Sequence, residues 1–288
     1  MENVRIGGVP EHFNLPIHLA IENGWFESEN INLKWQDFPG GSGYMKEALR
    51  NEDMDMCILL TEGIVTDILK GNSSKIVSGH VKTSLTWGIH TRTDETKIDS
   101  SSFFDKNIAI SRYGSGSHLM PIVHAMMQDQ SIEEKQLVEV SDIHGGISSL
   151  EQGRADIFYW EKFTTKPFVE NGKLKKIGEF ISPWPCFMIA ATDKMITERA
   201  QTLSILLKII HRANQHFMDL NDAPTLVAER YNLNIKDAER WYHATEWSVN
   251  GWVSNKMLEG VLYSLKEAGI VHADCTTQGI IWERNARK

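Results

Sequence analysis

Short apolar runs alternate with helix-like stretches through the first two thirds of the chain. Residues 4–26 read as a strand, a polar turn and a helix, and residues 107–128 repeat that order. Residues 40–62 and 145–161 also match each other, with a Gly-Gly turn, a short helix, an Asp, an apolar strand and a final Glu. Alternating strands and helices favour parallel strands joined by right-handed crossovers. The duplicated order therefore predicts an α/β protein with two doubly wound lobes.

Three more apolar runs extend this pattern. Residues 74–81, 84–91 and 185–192 predict strands, and the last two fall where the repeated segments end. Those positions suit two strands that cross between the lobes as a hinge. After residue 194 the apolar residues recur at helical spacing, which predicts a helical C-terminal tail packed on the first lobe.

The domain bounds follow from this order of elements. We expect a discontinuous first lobe, formed by residues 1–88 and 188–288, and a second lobe that spans residues 89–187. Ligands of open α/β sheets bind at the carboxyl ends of the strands, beside the amino termini of helices. With two such lobes facing each other, the turns that follow their strands would meet in one cleft.

Composition and charge narrow the possible functions. The 288 residues are 41% hydrophobic and carry a net charge of −8, a globular balance that disfavours nucleic acid and anionic membranes as partners. No apolar stretch approaches the roughly 18 residues of a membrane span, and no signal-peptide pattern opens the chain. We therefore expect no membrane insertion. The chain as it stands predicts a cytoplasmic protein, or a periplasmic or lipid-anchored one if an export signal was removed.

The cysteine and histidine patterns predict neither a metal site nor a cofactor. Cys57, Cys186 and Cys275 lie far apart, without a CxxC pair or a disulfide framework. Cys57 falls in the apolar run "MCILL", which predicts a buried thiol rather than a nucleophile. The eleven histidines include no HExxH motif.

The first repeat carries a family resemblance. Pro16, His18, Ala20, Gly24 and Phe26 in "NLPIHLAIENGWFESENINL" are followed by "FPGGSGYMKEALRNEDMDM". Over roughly residues 4–190 the chain resembles the type II periplasmic binding proteins, in the branch that binds nitrate, sulfonates, taurine and thiamine-precursor pyrimidines and includes the fungal thiamine-pyrimidine synthases. The resemblance implies two lobes that close over a small molecule. It also implies an ABC permease as a possible partner if the protein is exported.

Two features depart from that family pattern. Glu62 and Glu161 place acids where an anion-selective cleft would not favour them, and they would suit an amine-bearing heterocycle or another cation. The cysteine-rich motif of the fungal synthases is absent from the sequence, and His18 alone would not restore their chemistry.

The loop at residues 111–118 is a candidate for ligand contact. Free N–H groups at a helix start, together with the helix dipole, attract an anion or a carbonyl oxygen. Gly114 and Gly116 would let a ligand approach the backbone, while Ser115 and Ser117 would either cap the helix or donate to the ligand. The loop lacks the lysine of a P-loop and the GxSxG pattern of a nucleophile elbow.

The equivalent turn of the first copy offers Glu11, His12 and Phe13. Asn14 is predicted to cap a helix that opens near Pro16, a residue suited to a first helical turn. Aromatic residues at such turns either pack in the core or provide the flat faces that a heteroaromatic ligand needs.

Two charged or titratable side chains complete the candidate set. Arg112 would pair with a carboxylate, sulfonate or phosphate, or lie exposed, and His118 would hydrogen-bond a ligand as a neutral ring. The predicted ligand-binding residues are His12, Phe13, Phe38, Gly40, Gly41, Ser42, Thr61, Glu62, Ser111, Arg112, Gly114, Ser115, Gly116, Ser117, His118, Trp160, Glu161 and Trp184.

These observations favour a solute-binding protein. It would capture a small polar or heteroaromatic molecule between two lobes, for example a thiamine-precursor-like pyrimidine or a sulfonate, without chemistry on the ligand. The alternative is an intracellular enzyme on the same bilobal fold, acting in thiamine-pyrimidine or menaquinone-precursor synthesis, in which His18 or His118 would do acid–base work. The sequence leaves the ligand and the oligomeric state open.

Overall fold

The computed structural model of the protein describes residues 1–283 and 286–287. The strands are β1 (Glu2–Gly8), β2 (Ile31–Asp37), β3 (Met56–Leu60), β4 (Ser74–Thr91), β5 (Ile108–Ile110), β6 (Leu137–Glu139), β7 (Ile157–Glu161), β8 (Lys175–Thr192), β9 (Val253–Ser254) and β10 (Ala286–Arg287). The α-helices are α1 (Leu15–Glu22), α2 (Ser42–Arg50), α3 (Thr61–Leu69), α4 (Gly116–Met126), α5 (Ile143–Glu151), α6 (Lys166–Glu170), α7 (Asp193–Glu198), α8 (Ala200–Asp219), α9 (Ala223–Tyr231), α10 (Ile235–His243) and α11 (Asn255–Glu267).

Two long strands run through the main sheet and divide it into halves. The strand order is β2-β1-β3-β8-β4-β7-β5-β6. β1 pairs in parallel with β2 and β3, and β5 pairs in parallel with β6 and β7, as the strand–helix alternation predicts. β4 and β8 are antiparallel to each other, and each has 18 residues. We call the half with β1–β3 the first lobe and the half with β5–β7 the second lobe.

The hinge lies where β4 and β8 pass from one lobe to the other. The predicted strands at 74–81 and 84–91 are the two parts of β4, and the predicted strand at 185–192 is the last part of β8. The register between β4 and β8 is interrupted between Val81 and Thr86, and the Leu85 N–H donates to Ser182 Oγ at 2.9 Å. Interrupted ladders are where strands bend. The predicted fold class is confirmed, while the lobe bounds at residues 88 and 187 stay a prediction.

Two local predictions at helix starts are wrong. Asn14 stands before α1, but its Nδ2 donates to the Val9 carbonyl oxygen at 2.8 Å and does not cap the helix. Gly145 and Gly146 were expected in a turn before a helix, yet both lie inside the first turn of α5. The reason is Asp142, whose carboxylate accepts from the Gly145 N–H at 2.8 Å and so starts the helix earlier.

The helical tail covers the first lobe. α8 packs on α1, and the Trp247 indole N–H donates to the Phe13 carbonyl oxygen at 2.9 Å. The Asn234 side chain accepts from the Lys236 N–H at 2.9 Å and so caps α10. Cys57 is fully buried, as predicted. The tail therefore stabilises the loop that follows β1.

Candidate ligand-binding site

A small cavity lies between the lobes, where the loops after β1, β3, β5 and β7 meet. Its volume is about 40 Å³, room for roughly three water molecules. The predicted site residues that line it are Gly41, Ser42, Ser111, Ser115, Gly116, Ser117, Trp160 and Glu161. Val9, Glu11, Leu60, Leu85, Trp87 and Phe187 also line it and were outside the predicted set.

The start of α4 forms one polar wall of the cavity. The hydroxyl groups of Ser111, Ser115 and Ser117 cluster there, with both Ser111 Oγ and Ser115 Oγ 3.1 Å from Ser117 Oγ. The Ser115 hydroxyl donates to the Arg112 carbonyl oxygen, and Ser117 Oγ accepts from the Ser111 N–H, so neither side chain caps α4. The first N–H groups of a helix have no intrahelical acceptor. This end of α4 therefore favours a ligand oxygen.

The start of α2 faces the same cavity from the first lobe. Gly41 adopts φ 73° and ψ −159°, a backbone conformation that L side chains rarely take. Ser42 Oγ accepts from the Leu60 N–H at 3.0 Å, which ties α2 to the end of β3. Both helices thus direct the positive ends of their dipoles towards one space.

Two carboxyl groups lie on the acidic side of the cavity. Glu161, the last residue of β7, is 4% exposed, and its Oε2 accepts from the Thr164 N–H at 2.6 Å and from the Thr164 hydroxyl at 2.9 Å. Burial raises the pKa of Glu161 to about 7. Burial, together with the negative charge of Glu161, raises the pKa of Glu11 to about 8, while the Trp160 indole donates to the Glu11 carboxyl. Both carboxyls are therefore protonated in part at neutral pH.

Trp87 adds an unsatisfied donor to the cavity wall. It lies directly opposite Glu161 in the β4–β7 ladder, so the two side chains share one face of the sheet. Its indole N–H is buried and has no hydrogen-bond partner among the residues that the structure describes. Buried polar groups without a partner are rare in folded proteins, so this N–H indicates a position for a ligand acceptor.

Several predicted site residues lie behind the cavity. His12 and Phe13 belong to an aromatic cluster with Trp241, with ring centroids 4.2 Å and 5.3 Å from that of Trp241. Burial lowers the pKa of His12 to about 3, and its Nε2 is 3.6 Å from Glu161 Oε2. His12 thus contacts the acidic side from the protein interior.

Three other predicted site residues, Thr61, Glu62 and Trp184, join α3 to β8. The Trp184 indole N–H donates to Glu62 Oε2 at 2.9 Å, and burial raises the pKa of Glu62 to about 7. The Thr61 hydroxyl donates to the Pro185 carbonyl oxygen, which anchors α3 to β8. Phe38 and Gly40 lie in a separate surface groove on the first lobe. Direct ligand contact by these five residues stays a prediction that the closed structure does not favour.

Arg112, Gly114 and His118 belong to contacts between the lobes. The Arg112 guanidinium stacks 3.1 Å above the centroid of the Tyr44 ring and lies 3.2 Å from Glu47 Oε2. Lys46 Nζ donates to the Gly114 carbonyl oxygen at 2.7 Å, and the Gly114 N–H donates to His118 Nδ1 at 2.9 Å. Tyr44, Lys46 and Glu47 lie on α2, so these contacts join the first lobe to the second. We call this arrangement, in which the two lobes are in direct contact, closed.

Comparison with known proteins agrees with this architecture. The family model described as Ca3427-like PBP, for periplasmic binding protein, matches residues 87–180. The structure of the Candida albicans CA3427 gene product, described as having the generic periplasmic binding protein fold, is 23% identical, with TM-score 0.88 over 100% of this chain and 97% of that chain. The alkanesulfonate-binding protein SsuA of Xanthomonas axonopodis pv. citri, solved with MOPS, is 13% identical, with TM-score 0.81 over 98% of each chain.

The periplasmic nitrate-binding protein NrtA of Synechocystis PCC 6803 is 13% identical, with TM-score 0.74 over 100% of this chain and 86% of that chain. The chain therefore has the type II periplasmic-binding-protein fold, which these sulfonate- and nitrate-binding proteins share. No curated protein matches the sequence.

The described part of the chain has neither a membrane-spanning helix nor a cluster of metal ligands. Across residues 1–283 and 286–287, no helix is long and apolar enough to cross a membrane. Over the same residues, no group of three or more His, Cys, Asp and Glu side chains is arranged to hold a metal ion.

Proposed function

We propose that the protein binds a small polar solute between its lobes and retains it by hinge closure. The observation that carries this proposal is the cavity between the lobes, to which both lobes contribute polar groups beside the crossing of β4 and β8. Binding of a ligand that contacts both lobes shifts an open–closed equilibrium towards the closed state. The sulfonate- and nitrate-binding neighbours support the same role.

The size of the cavity restricts the ligand. Pockets for drug-sized ligands usually have volumes of several hundred Å³, far more than the closed cavity. The ligand is therefore compact, or the lobes close less tightly around a larger one. If the protein is exported, its partner would be an ABC permease. If it is retained in the cell, it would act as a carrier or sensor of the solute.

The test is to identify the ligand that the protein carries. Native mass spectrometry of the purified protein should show a bound molecule, which is then released and added back in thermal-shift assays. A ligand at a hundred times its dissociation constant should stabilise the fold by roughly 2.7 kcal/mol. Small-angle X-ray scattering should show a smaller radius of gyration when that ligand is added.

A matched variant locates the binding. Trp160→Phe keeps the aromatic packing but removes the indole donor to Glu11, so the ligand-induced thermal shift should fall while the shape of the apo transition is preserved. A full shift in Trp160→Phe, or recovery of a chemically altered molecule after incubation, would contradict a binding protein with this site.

A further inference from the structure

The cavity is lined by two chemically different sets of groups, which we call the donor end and the acidic end; they adjoin where Trp87 faces Glu161 across the β4–β7 ladder. At one end the start of α4 and the Trp87 indole present N–H and O–H donors. At the other end Glu11 and Glu161 present carboxyl groups. A ligand that carries only an anionic group matches the first end and not the second.

The donor end is held rigidly against the helix. A Cβ added at Gly116 would lie 2.5 Å from the Trp87 ring and 2.3 Å from Leu60 Cδ1, so the indole packs directly on the first residue of α4. A buried N–H left without an acceptor destabilises the structure that contains it. A ligand oxygen at this position would satisfy the Trp87 N–H and lie near the helix dipole at the same time.

No lysine or arginine is among the described residues that line the cavity beside the acidic end. Its neighbours are His12, whose burial keeps it neutral, Lys162, which lies on the solvent side and pairs with Glu179, and the buried thiol of Cys186. Two acids in one buried space repel each other when both ionise, so at least one retains its proton. An ammonium group of a ligand would relieve this repulsion, because it would donate hydrogen bonds to the carboxylates.

We propose that the ligand is a compact dipolar molecule with a cationic amino group at Glu11 and Glu161 and a carboxylate or carbonyl oxygen at Trp87 and the start of α4. This assignment rests on the proposed binding function and specifies its ligand class. Amino acids with a short carbon chain and small amino amides meet both requirements.

Binding of such a ligand releases protons. In the free protein the pKa values of Glu161 and Glu11 are about 7 and about 8, and an ammonium partner lowers both because it favours the carboxylate. Affinity should therefore rise as the pH increases from 6 to 8, by up to about tenfold per pH unit for each proton released, and level off above that range. A purely anionic ligand should show the opposite dependence.

The experiment compares ligands that share one carbon chain. β-Alanine carries both groups, propionate lacks the amino group and propylamine lacks the carboxylate; glycine, acetate and methylamine form a shorter set. Titration calorimetry at pH 6, 7 and 8, in two buffers of different ionisation enthalpy, gives affinity and proton release together. We expect the dipolar member of a set to bind at least tenfold more tightly than its partners, with release of protons.

Each other outcome contradicts the proposal in a distinct way. Equal or tighter binding of propionate or acetate would identify an anion site and leave the proposed binding function intact. Binding without proton release would exclude the carboxyl pair as the partner of the amino group. If no dipolar member binds, the ligand class is wrong, and the carried ligand found by mass spectrometry decides the function independently.

Variants with matched controls test the two ends. Trp87→Phe should lower the affinity for the dipolar ligand about tenfold, whereas Trp35→Phe, at a partly exposed indole that donates to Asp37, should not.

Glu161→Gln should lower this affinity by a similar factor and reduce the proton release. Glu22→Gln, at an exposed acid paired with Arg230, should leave affinity and proton release unchanged. If Glu161→Gln fails to fold, Glu11→Gln supplies the same measurement. Unchanged affinity and proton release in folded variants would overturn the assignment.

Discussion

Gly43 offers a way to weaken lobe closure while strengthening the fold. Gly43 lies in α2 of the first lobe, and a Cβ at this position would be 2.1 Å from Cδ and 2.5 Å from Cγ of Arg112 in the second lobe. Arg112 would have to leave its place above Tyr44 and beside Glu47. In an open conformation Arg112 and Gly43 are apart, so the clash acts on the closed state alone.

The expected magnitude follows from the contacts that Arg112 would lose. An exposed cation–π contact is worth about 0.5–1 kcal/mol, and a surface ion pair about 0.2–1 kcal/mol. Gly43→Ala should therefore destabilise closure by about 1 kcal/mol, a roughly fivefold loss of ligand affinity. The same change reduces the freedom of the unfolded chain and should raise the free energy of unfolding by about 0.4–1 kcal/mol. Stability and closure thus move in opposite directions.

Two comparisons isolate the cause. Gly260→Ala in α11 is a matched control, because its added Cβ would point into open space away from the helix's own backbone; it should raise stability and leave affinity unchanged. In an Arg112→Ala background, Gly43→Ala should no longer affect affinity, since the clashing side chain is gone. Urea unfolding measures stability, calorimetry measures ligand affinity and small-angle scattering measures closure. A loss of affinity that persists in the Arg112→Ala background would refute the reasoning.

Two further predictions concern Glu62 and Lys46. Because the pKa of Glu62 is raised in the folded state, the stability it contributes is full below the pKa of the unfolded chain and is lost as the pH rises through about 7. Between pH 6 and 8 the free energy of unfolding of the wild type, measured in urea, should therefore fall by about 1.4 kcal/mol more than that of Glu62→Gln. Parallel pH dependences of the two proteins would contradict this. Lys46→Met removes the bond to the Gly114 carbonyl oxygen and should weaken ligand affinity about tenfold. Exposed Lys34→Met should not, and equal affinities in both variants would exclude Lys46 from closure.

Local sequence patterns were sufficient for the fold and for several residues that line one wall of the cavity. The strand–helix alternation and the apolar runs depend on neighbours a few positions apart, so they predicted the lobes, the hinge strands and the helical tail. The loop before α4 was predicted because small residues there leave the first N–H groups of the helix accessible to a ligand. Ser111, Ser115, Gly116 and Ser117 all line the cavity.

Side chains that reach the cavity through strand pairing were harder to predict. Trp87 lies in a run that was correctly assigned as a strand, but its place beside Glu161 depends on the register of β4 with β7. Arg112 lies in the correct loop, yet it turns outward to Tyr44 because closure brings α2 next to it. Such contacts between distant segments have no periodic signal in one sequence.

The repeat itself shows that Glu62 and Glu161 are not equivalent positions. β3 begins one residue after Asp55 and β7 one residue after Asp156, and the final residues of these strands are Leu60 and Glu161. Counted from the shared Asp, Glu161 therefore corresponds to Leu60, and both line the cavity. Glu62 is two residues further on, inside the first turn of α3, where Trp184 binds it.

This alignment explains why the site is asymmetric. The two lobes present similar helix starts, but at the equivalent strand ends one lobe has an apolar side chain and the other a carboxyl group. The acid opposite Glu161 comes instead from Glu11, in the loop after β1, which the buried contact of Trp247 with Phe13 holds in position. The position of Glu11 at the acidic end therefore depends on the helical tail, so we expect changes at Trp247, which does not line the cavity, to alter the ligand charge preference.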